Sequence, residues 1–152
     1  MSLETDMAAL AQVRPFSLLD REALRLIAFS AERRKLRAGD ILFRKTAASY
    51  GGGVVVSGAI ALDPPEDGSP PRHVARRGSL IGGVALLAPT DHAAQSVAQE
   101  DSEVLVVPRQ LFKRVLDEFP QHAVAIHASL AEDLKKLTRE TEAIKRRLDA
   151  LG

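Results

Sequence analysis

Cysteine does not occur in this sequence. Its absence excludes a disulfide scaffold, a thiolate metal site and a cysteine nucleophile at once. It also fits a reducing compartment, so the sequence predicts a cytoplasmic protein.

An excess of charge and a long apolar run are missing as well. The 21 basic and 20 acidic residues leave a formal net charge of +1, so no overall field favours nucleic acid or a membrane. The longest uncharged apolar run, residues 79–90, is too short to span a membrane, and no signal-like segment opens the chain. We therefore expect no membrane partner.

Hydrophobic residues make up 45% of the 152 residues, enough for one domain with a real core and too few for two. Apolar residues at helical spacing predict two short amphipathic helices before residue 31, broken near Pro15, with Asp20 as N-cap of the second. Their predicted role is packing.

Short β segments are predicted after Ser30. The Ser57–Gly58 turn predicts a hairpin, and the loop 63–72, which holds four of the eight prolines, should be exposed. About eight short strands at this close spacing indicate a sandwich or barrel. The predicted strands are 35–37, 41–43, 54–56, 59–62, 73–76, 79–81, 94–98 and 104–107.

Two helices are predicted after Pro108, the first ending at Pro120 and the second running from Gln121 to the end. Apolar positions of the second alternate by three and four residues, which is typical of a coiled-coil seam. In this register Glu140 lies at a g position and Lys145 at the following e position. Their opposite charges would attract each other across two parallel chains, so a parallel homodimer is predicted. The predicted seam is His127, Leu130, Leu134, Leu137, Thr141, Ile144 and Leu148.

The alternative for this helix is that its apolar stripe packs on its own domain. A helix of about 30 residues is about 45 Å long, which exceeds what a domain of this size can cover. Its distal half therefore needs a partner.

The stretch from Gly78 to Ala98 contains the glycine pair Gly82–Gly83 directly before a short apolar segment. Such a pair lets the backbone approach a bound group, and the free amides that follow attract anions. The alternative is a tight turn within a β structure.

Neither metal binding nor catalysis is predicted. The four histidines show no paired spacing, so His73 and His122 are expected to be solvated and His127 to be a tolerated polar residue in the seam. No Ser, His and Asp arrangement can be argued from spacing, and the basic clusters 33–35 and 145–147 are interpreted as solvated faces.

Four segments, taken in order, resemble the cyclic nucleotide-binding domain. They are PFSLLDREALRLIA, AGDILFR, VVVSGAIAL, and GSLIGGVALL with the strand 94–98 after it. This family includes catabolite-activator-type regulators, regulatory subunits of cyclic-nucleotide-dependent kinases and some channels. The resemblance covers about residues 7–151 and implies a mainly β fold with flanking helices, a double-stranded β-helix or jelly roll called a β-roll. Residues 1–120 would be the ligand-sensing β-roll with its N-terminal helices, and residues 121–152 the dimerisation helix of the same unit.

Leu80–Leu87 matches the family's phosphate-binding cassette. The family's glutamate, which holds the ribose hydroxyl, is replaced by Gly83, and its arginine, which holds the cyclic phosphate, is replaced at or near its place by His92. Two lost anchors would cost about 3–6 kcal/mol, or on the order of a hundredfold to ten-thousandfold in affinity. The ligand-binding residues that the resemblance implies are Ile81, Gly82, Gly83, Val84, Ala85, His92, Ala93 and Ala94.

Two further features bear on this site. With a reference pKa of about 6.5, His92 would be charged in roughly a quarter of molecules at neutral pH and could replace the arginine in part. Thr46 and Ala47 stand where the family has Gly and Asp, which changes the turn after the second strand.

The resemblance therefore implies a regulatory or sensory module that does not bind cyclic AMP in the usual way. A cyclic nucleotide, another small anionic ligand and a small apolar ligand remain open as its ligand. The alternative is a ligand-free dimerisation protein with a vestigial pocket. Activator-type regulators carry a helix-turn-helix after the long helix and this sequence ends there, so we expect no direct DNA binding by this chain.

Overall fold

The computed structural model describes residues 2–151, without the side chains at positions 130, 133, 134, 136–138, 140 and 141 of the last helix. The described part contains four α-helices and eight strands, as predicted. The helices are α1 Leu3–Ala11, α2 Arg21–Ser30, α3 Arg109–Glu118 and α4 Pro120–Leu151. The strands are β1 Glu32–Leu36, β2 Ile41–Phe43, β3 Gly51–Ser57, β4 Ala59–Leu62, β5 His73–Arg76, β6 Leu80–Ile81, β7 Ser96–Ala98 and β8 Ser102–Pro108.

The strands form two four-stranded antiparallel sheets, ordered β1-β8-β3-β6 and β2-β7-β4-β5. The sheets enclose an aliphatic core with one phenylalanine, Phe43, while the helices and the outer face of the first sheet share a second core. The predicted mainly β fold with flanking helices is therefore confirmed.

Two N-terminal helices form before residue 31, as predicted, but α1 ends at Ala11, so the apolar residues Val13 and Phe16 lie beyond it. Asp20 caps α2 by accepting a hydrogen bond from the Ala23 amide at 3.0 Å. Phe16, in the 3₁₀ turn between α1 and α2, packs edge-on against Phe112 of α3 with ring centroids 5.7 Å apart. This aromatic pair joins the N-terminal helices to the helix that follows the β-roll.

The predicted hairpin at Ser57–Gly58 is wrong, because β3 and β4 belong to different sheets. β3 pairs with β8 and β6, whereas β4 pairs with β5 and β7. Gly58, with φ of 89°, turns the chain from one sheet to the other. The two residues are therefore a corner of the roll.

Strand ends also differ from the prediction. β1 begins at Glu32, and β3 includes the three glycines before Val54 because they pair with β8. A Cβ at Gly51 would lie 2.1 Å from the Val107 carbonyl oxygen, so glycine permits this close pairing. The loop 63–72 is largely exposed, as predicted.

An ion-pair network holds α1 against the first sheet. The Arg33 guanidinium donates to Asp6 at 2.5 Å and to Glu103 of β8 at 2.6 Å, and all three side chains are at least three-quarters buried. The basic cluster 33–35 is thus only partly a solvated face.

His122 is not solvated, contrary to the prediction. Its side chain is 18% exposed, and its Nε2 atom lies 3.1 Å from Oδ2 of Asp20, close enough for an ion pair but outside hydrogen-bond geometry. The pKa of Asp20 is lowered first by the hydrogen bond from the Ala23 amide and then by His122. This pair connects the start of α2 with the start of α4.

Helix α4 is 32 residues long and contacts α3 and the 3₁₀ turn Phe16–Leu18 through its first turns. Ile126 is its buried anchor in the helical core. In the described part of the chain, no helix has both the length and the apolar character that crossing a membrane requires.

Candidate functional site

The cassette, residues Leu80–Leu87, leaves the β-roll at the end of β6. Leu80 and Ile81 pair with Val54 and Gly53 of β3. Gly82 then adopts a left-handed conformation with φ of 73°, which glycine takes without steric cost, and a 3₁₀ turn runs from Gly83 to Leu86. The sequence prediction of a glycine pair before a short helical segment is confirmed.

The structure brings Gly82 and His92 together. A Cβ added to Gly82 would lie 3.4 Å from the Cε1 and Nδ1 atoms of the His92 ring. Ile81 and Ala85 are buried beneath the turn, Val84 is exposed, and Gly83 is partly covered. Ala93 and Ala94 lie in the bend between His92 and β7, with Ala93 exposed.

His92 is 7% exposed and its ring stacks on Phe43 of β2, with centroids 4.1 Å apart and planes 12° from parallel. Two backbone hydrogen bonds fix it, from its own amide to the Ala47 carbonyl at 3.0 Å and from the Thr46 amide to its carbonyl at 2.9 Å. Burial lowers the pKa of His92 despite the nearby Asp91 carboxylate. The expected quarter of charged molecules at neutral pH is therefore an overestimate.

The turn after β2 keeps a glycine-like backbone without a glycine. Thr46 has φ of 65°, a region that β-branched residues rarely occupy. The cost of such a conformation is about 1–2 kcal/mol. The hydrogen bonds to His92 hold this turn in place.

Gly83 lies beside Leu80. A Cβ at position 83 would be 2.9 Å from the Cδ2 atom of Leu80, the far end of a flexible side chain. A larger residue at position 83 therefore requires Leu80 to change rotamer, and no backbone stands in its way.

Sequence reasoning missed Arg109, the first residue of α3. Its Nη1 atom donates to the carbonyls of Ala85 at 3.0 Å, Ser49 at 3.3 Å and Ala88 at 3.4 Å. The carbonyls of Ala85 and Ala88 lie at and just after the end of the 3₁₀ turn, where no following helical turn supplies an amide donor, and Arg109 takes the place of that donor. The bond to Ser49 ties Arg109 to the segment before β3. The only sequence signal was an arginine directly after the strand-ending Pro108, so its contacts could not be predicted without the fold.

The predicted seam is described only in part. The side chains of Leu130, Leu134, Leu137 and Thr141 lie outside the described residues. His127 is exposed, and Ile144 and Leu148 are exposed by 57% and 64%. The seam remains a prediction.

Metal ligands do not converge in the described part of the chain. No three His, Asp or Glu side chains there lie close enough together to hold an ion. His73 is exposed on β5, and His92 lies against Phe43.

The comparisons with known proteins agree with this architecture. The sequence profile of the cyclic nucleotide-binding domain matches residues 33–119. Among curated proteins, no sequence matches this chain significantly.

Solved structures give the same result. A cyclic nucleotide-binding-like protein from Brucella abortus is 34% identical, with a TM-score of 0.66 over 74% of this chain and 97% of that one. The catabolite activator protein of Thermus thermophilus is 26% identical, with a TM-score of 0.67 over 84% of this chain and 61% of that one. The N-terminal domain of a transcriptional regulator from Streptomyces coelicolor is 24% identical and has the same fold, with a TM-score of 0.76 over 88% and 94% of the two chains.

The profile covers more than half of the residues, and the Brucella relative is similar over nearly its whole length. The chain therefore belongs to the cyclic nucleotide-binding domain family.

Proposed function

We propose that this chain is the sensory unit of a regulator and that its cassette does not bind cyclic AMP in the family's usual way. The observation that carries the proposal is His92, a buried imidazole that stacks on Phe43 beside the cassette glycine and whose pKa is lowered by this burial. A cyclic phosphate needs a fixed positive charge at this place, and a neutral ring does not supply one.

Gly83 supports the same proposal. Without a carboxylate at this position, the ribose hydroxyl has no charged acceptor from the cassette. Together the two replacements remove about 3–6 kcal/mol of binding free energy. This loss moves a micromolar site towards the millimolar range or beyond it.

Arg109 suggests how a signal would leave the cassette. It bonds the cassette carbonyls from the first turn of α3, and α3 contacts α4. A ligand that moved the 3₁₀ turn would have to break these bonds or carry α3 with it. The proposed output is thus a shift of α4 relative to the β-roll, transmitted to a second copy of the chain.

A ligand-free dimerisation protein is the second candidate. The stack of His92 on Phe43 favours it, because the ring itself covers the α-carbon of Gly82 that a ligand would approach. In that case the cassette only supports the fold, and α4 carries the function.

Calorimetric titration with cyclic AMP and cyclic GMP tests the first proposal. The wild-type protein should give no saturable heat up to millimolar nucleotide. Restoring both anchors, as Gly83→Glu with either His92→Arg or Ala93→Arg, should raise cyclic AMP affinity by a hundredfold or more, on the order of the lost anchors. Two arginine positions are used because position 92 is buried and position 93 is exposed.

The matched control is Gln99→Glu with His73→Arg, which makes the same change in charge at two exposed positions. It should behave as the wild-type protein. Micromolar binding by the wild-type protein would refute the proposal. Folded double variants that bind no better than the wild-type protein would show that the missing anchors are not what limits binding.

A further inference from the structure

A cavity of about 480 Å³ lies outside the β-roll, between the end of the cassette, helix α3 and the first turns of α4. This volume is within the range of about 300–1,000 Å³ that small-molecule sites occupy. Its walls include Leu87, Phe112, Leu116 and Ala123. The cavity is lined by Leu86 and Leu87 at the end of the cassette but by none of the eight ligand-binding residues that the family resemblance implies, so it is a different site.

The floor of the cavity is apolar. Leu86 and Phe112 are almost completely buried, and Leu116 is 8% exposed. All three belong to the helical core that also holds the aromatic pair of Phe16 and Phe112. The helical core thus backs the floor, and Leu87, which is 38% exposed, provides accessible apolar surface for a hydrocarbon or aromatic body.

The rim of the cavity is charged, and its charge is not uniform. Arg109, Lys113 and Asp117 line it from one stripe of α3, because residues four apart share a helix face. The two cations lie towards the cassette and the N-terminal end of α3, where the helix dipole also favours negative charge. Asp117 lies at the opposite end of the stripe.

Arg109 and Lys113 have different parts in this rim. Arg109 is held in place by its bonds to the cassette carbonyls. Across the described residues, no carboxylate lies within 4 Å of the Lys113 ammonium, which is exposed and able to turn towards a ligand. The cationic end of the cavity thus has one fixed and one adjustable charge.

We propose that this cavity is a second ligand site, which takes a small molecule with an apolar body and one carboxylate. The body would lie on Leu87 and Leu116, and the carboxylate would pair with Lys113 beside Arg109. Because the cassette, α3 and α4 each supply a wall, an occupied cavity would fix the position of α4 relative to the cassette. Binding here is independent of whether the cassette itself binds a nucleotide.

Three probes that differ only in their head group test the site: 4-phenylbutyrate, 4-phenylbutan-1-ol and 4-phenylbutylamine. Backbone amide shifts should follow 4-phenylbutyrate to saturation, with the changes concentrated in residues 86–88, 109–117 and 123–127. The alcohol should bind at least about tenfold more weakly because it lacks the charged hydrogen bond. The amine should bind more weakly still. Equal affinity for the three probes, shifts centred on residues 81–85 and 92–94, or no saturation would overturn the proposal.

Variants locate the site. Lys113→Glu reverses one exposed charge and should reduce 4-phenylbutyrate affinity tenfold or more, and Ala123→Phe should fill the cavity and abolish saturable binding. Lys45→Glu makes the same charge reversal at an exposed position of the turn after β2 and should change nothing. A Lys113→Glu protein that folds and binds 4-phenylbutyrate as the wild-type protein does would contradict the site. So would an equal loss in the Lys45→Glu control.

Discussion

At position 92 a histidine stands at or near the place where the family resemblance predicts a charged anchor. The ring stacks on Phe43 and lies 3.4 Å from where a Cβ on Gly82 would be, and its backbone is tied to the turn at Thr46 and Ala47. Buried between these groups, the imidazole is more stable neutral than protonated. The residue contributes packing to the site and no fixed charge.

This burial predicts a pH dependence of stability. The unfolded chain binds a proton at His92 near pH 6.5, whereas the folded chain, with its lowered pKa, binds it only at lower pH. The unfolded state therefore holds more protons below about pH 6.5, and the free energy of unfolding falls as the pH is lowered through this window. His92→Phe keeps the stack and removes the titrating group, so its unfolding free energy should fall less between pH 7 and pH 5.

Urea unfolding at several pH values measures the difference between the two proteins. His73→Gln, which removes an exposed histidine, is the control and should leave the wild-type profile unchanged. Parallel profiles for the wild-type protein and His92→Phe would show that His92 titrates alike in both states.

The replacement of both anchors was predicted from the sequence, where Gly83 stands at the family's glutamate position and His92 at or near its arginine position, and it remains a prediction. The environment of His92 was not readable. Its ring partner Phe43 comes from β2, and the two meet only when β2 pairs with β7 in the second sheet. A reference pKa therefore overestimated the charge at the site.

At the scale of the elements, the corner between β3 and β4 is where the chain passes from the first sheet to the second. Gly58 turns the chain from one sheet to the other, and the hydroxyl of buried Ser102 accepts a hydrogen bond from the Ala59 amide at 3.1 Å. The same hydroxyl donates to the Glu100 carbonyl at 2.8 Å. There is no room at this corner for a side chain on residue 58.

Gly58→Ala should therefore destabilise the protein more than Gly39→Ala. Both glycines have nearly the same backbone angle, with φ of 89° and 93°. An added Cβ at Gly58 would lie 2.1 Å from the Ser102 hydroxyl oxygen, whereas at Gly39 it would meet nothing within 4 Å. Gly39→Ala should cost about 1–2 kcal/mol from backbone strain alone, and Gly58→Ala about 1–3 kcal/mol more from overlap.

Denaturant unfolding of the two variants gives both free energies. The comparison isolates the overlap, since the backbone strain is common to both. Equal losses would mean that Ser102 moves aside without cost and that the corner is not pinned by it.

The failed hairpin prediction has a physical reason at this scale. A glycine turn between two apolar segments fits a hairpin and a sheet-changing corner equally well from local sequence. The choice depends on β8, which occupies the edge of β3 and is far away in sequence. Strand positions, by contrast, follow from local patterns, and most were predicted to within a few residues.

The whole molecule combines a closed β-roll with a helix that extends beyond it. Helix α4 of 32 residues is about 48 Å long, and among its described residues Ala123 and Ile126, in the first two turns, pack in the helical core. Three large apolar residues at its far end, Ile144, Leu148 and Leu151, are exposed at a spacing of four and three residues. Such a stripe is typical of a helix that pairs with another.

The predicted parallel dimer would form through this stripe, and a single charged substitution in it tests the prediction. Ile144→Glu places a carboxylate in the seam, where two copies would face each other without a cation between them, and should give monomers in sedimentation velocity. Arg146→Glu changes charge two residues away at the outermost f position of the same register and should remain dimeric. The fold of the β-roll should survive both changes, because the far end of α4 contributes nothing to either core among the described residues. An Ile144→Glu protein that sediments as the wild-type dimer, or a wild-type protein that is itself monomeric at the same concentration, would refute the seam and leave the stripe to a different partner.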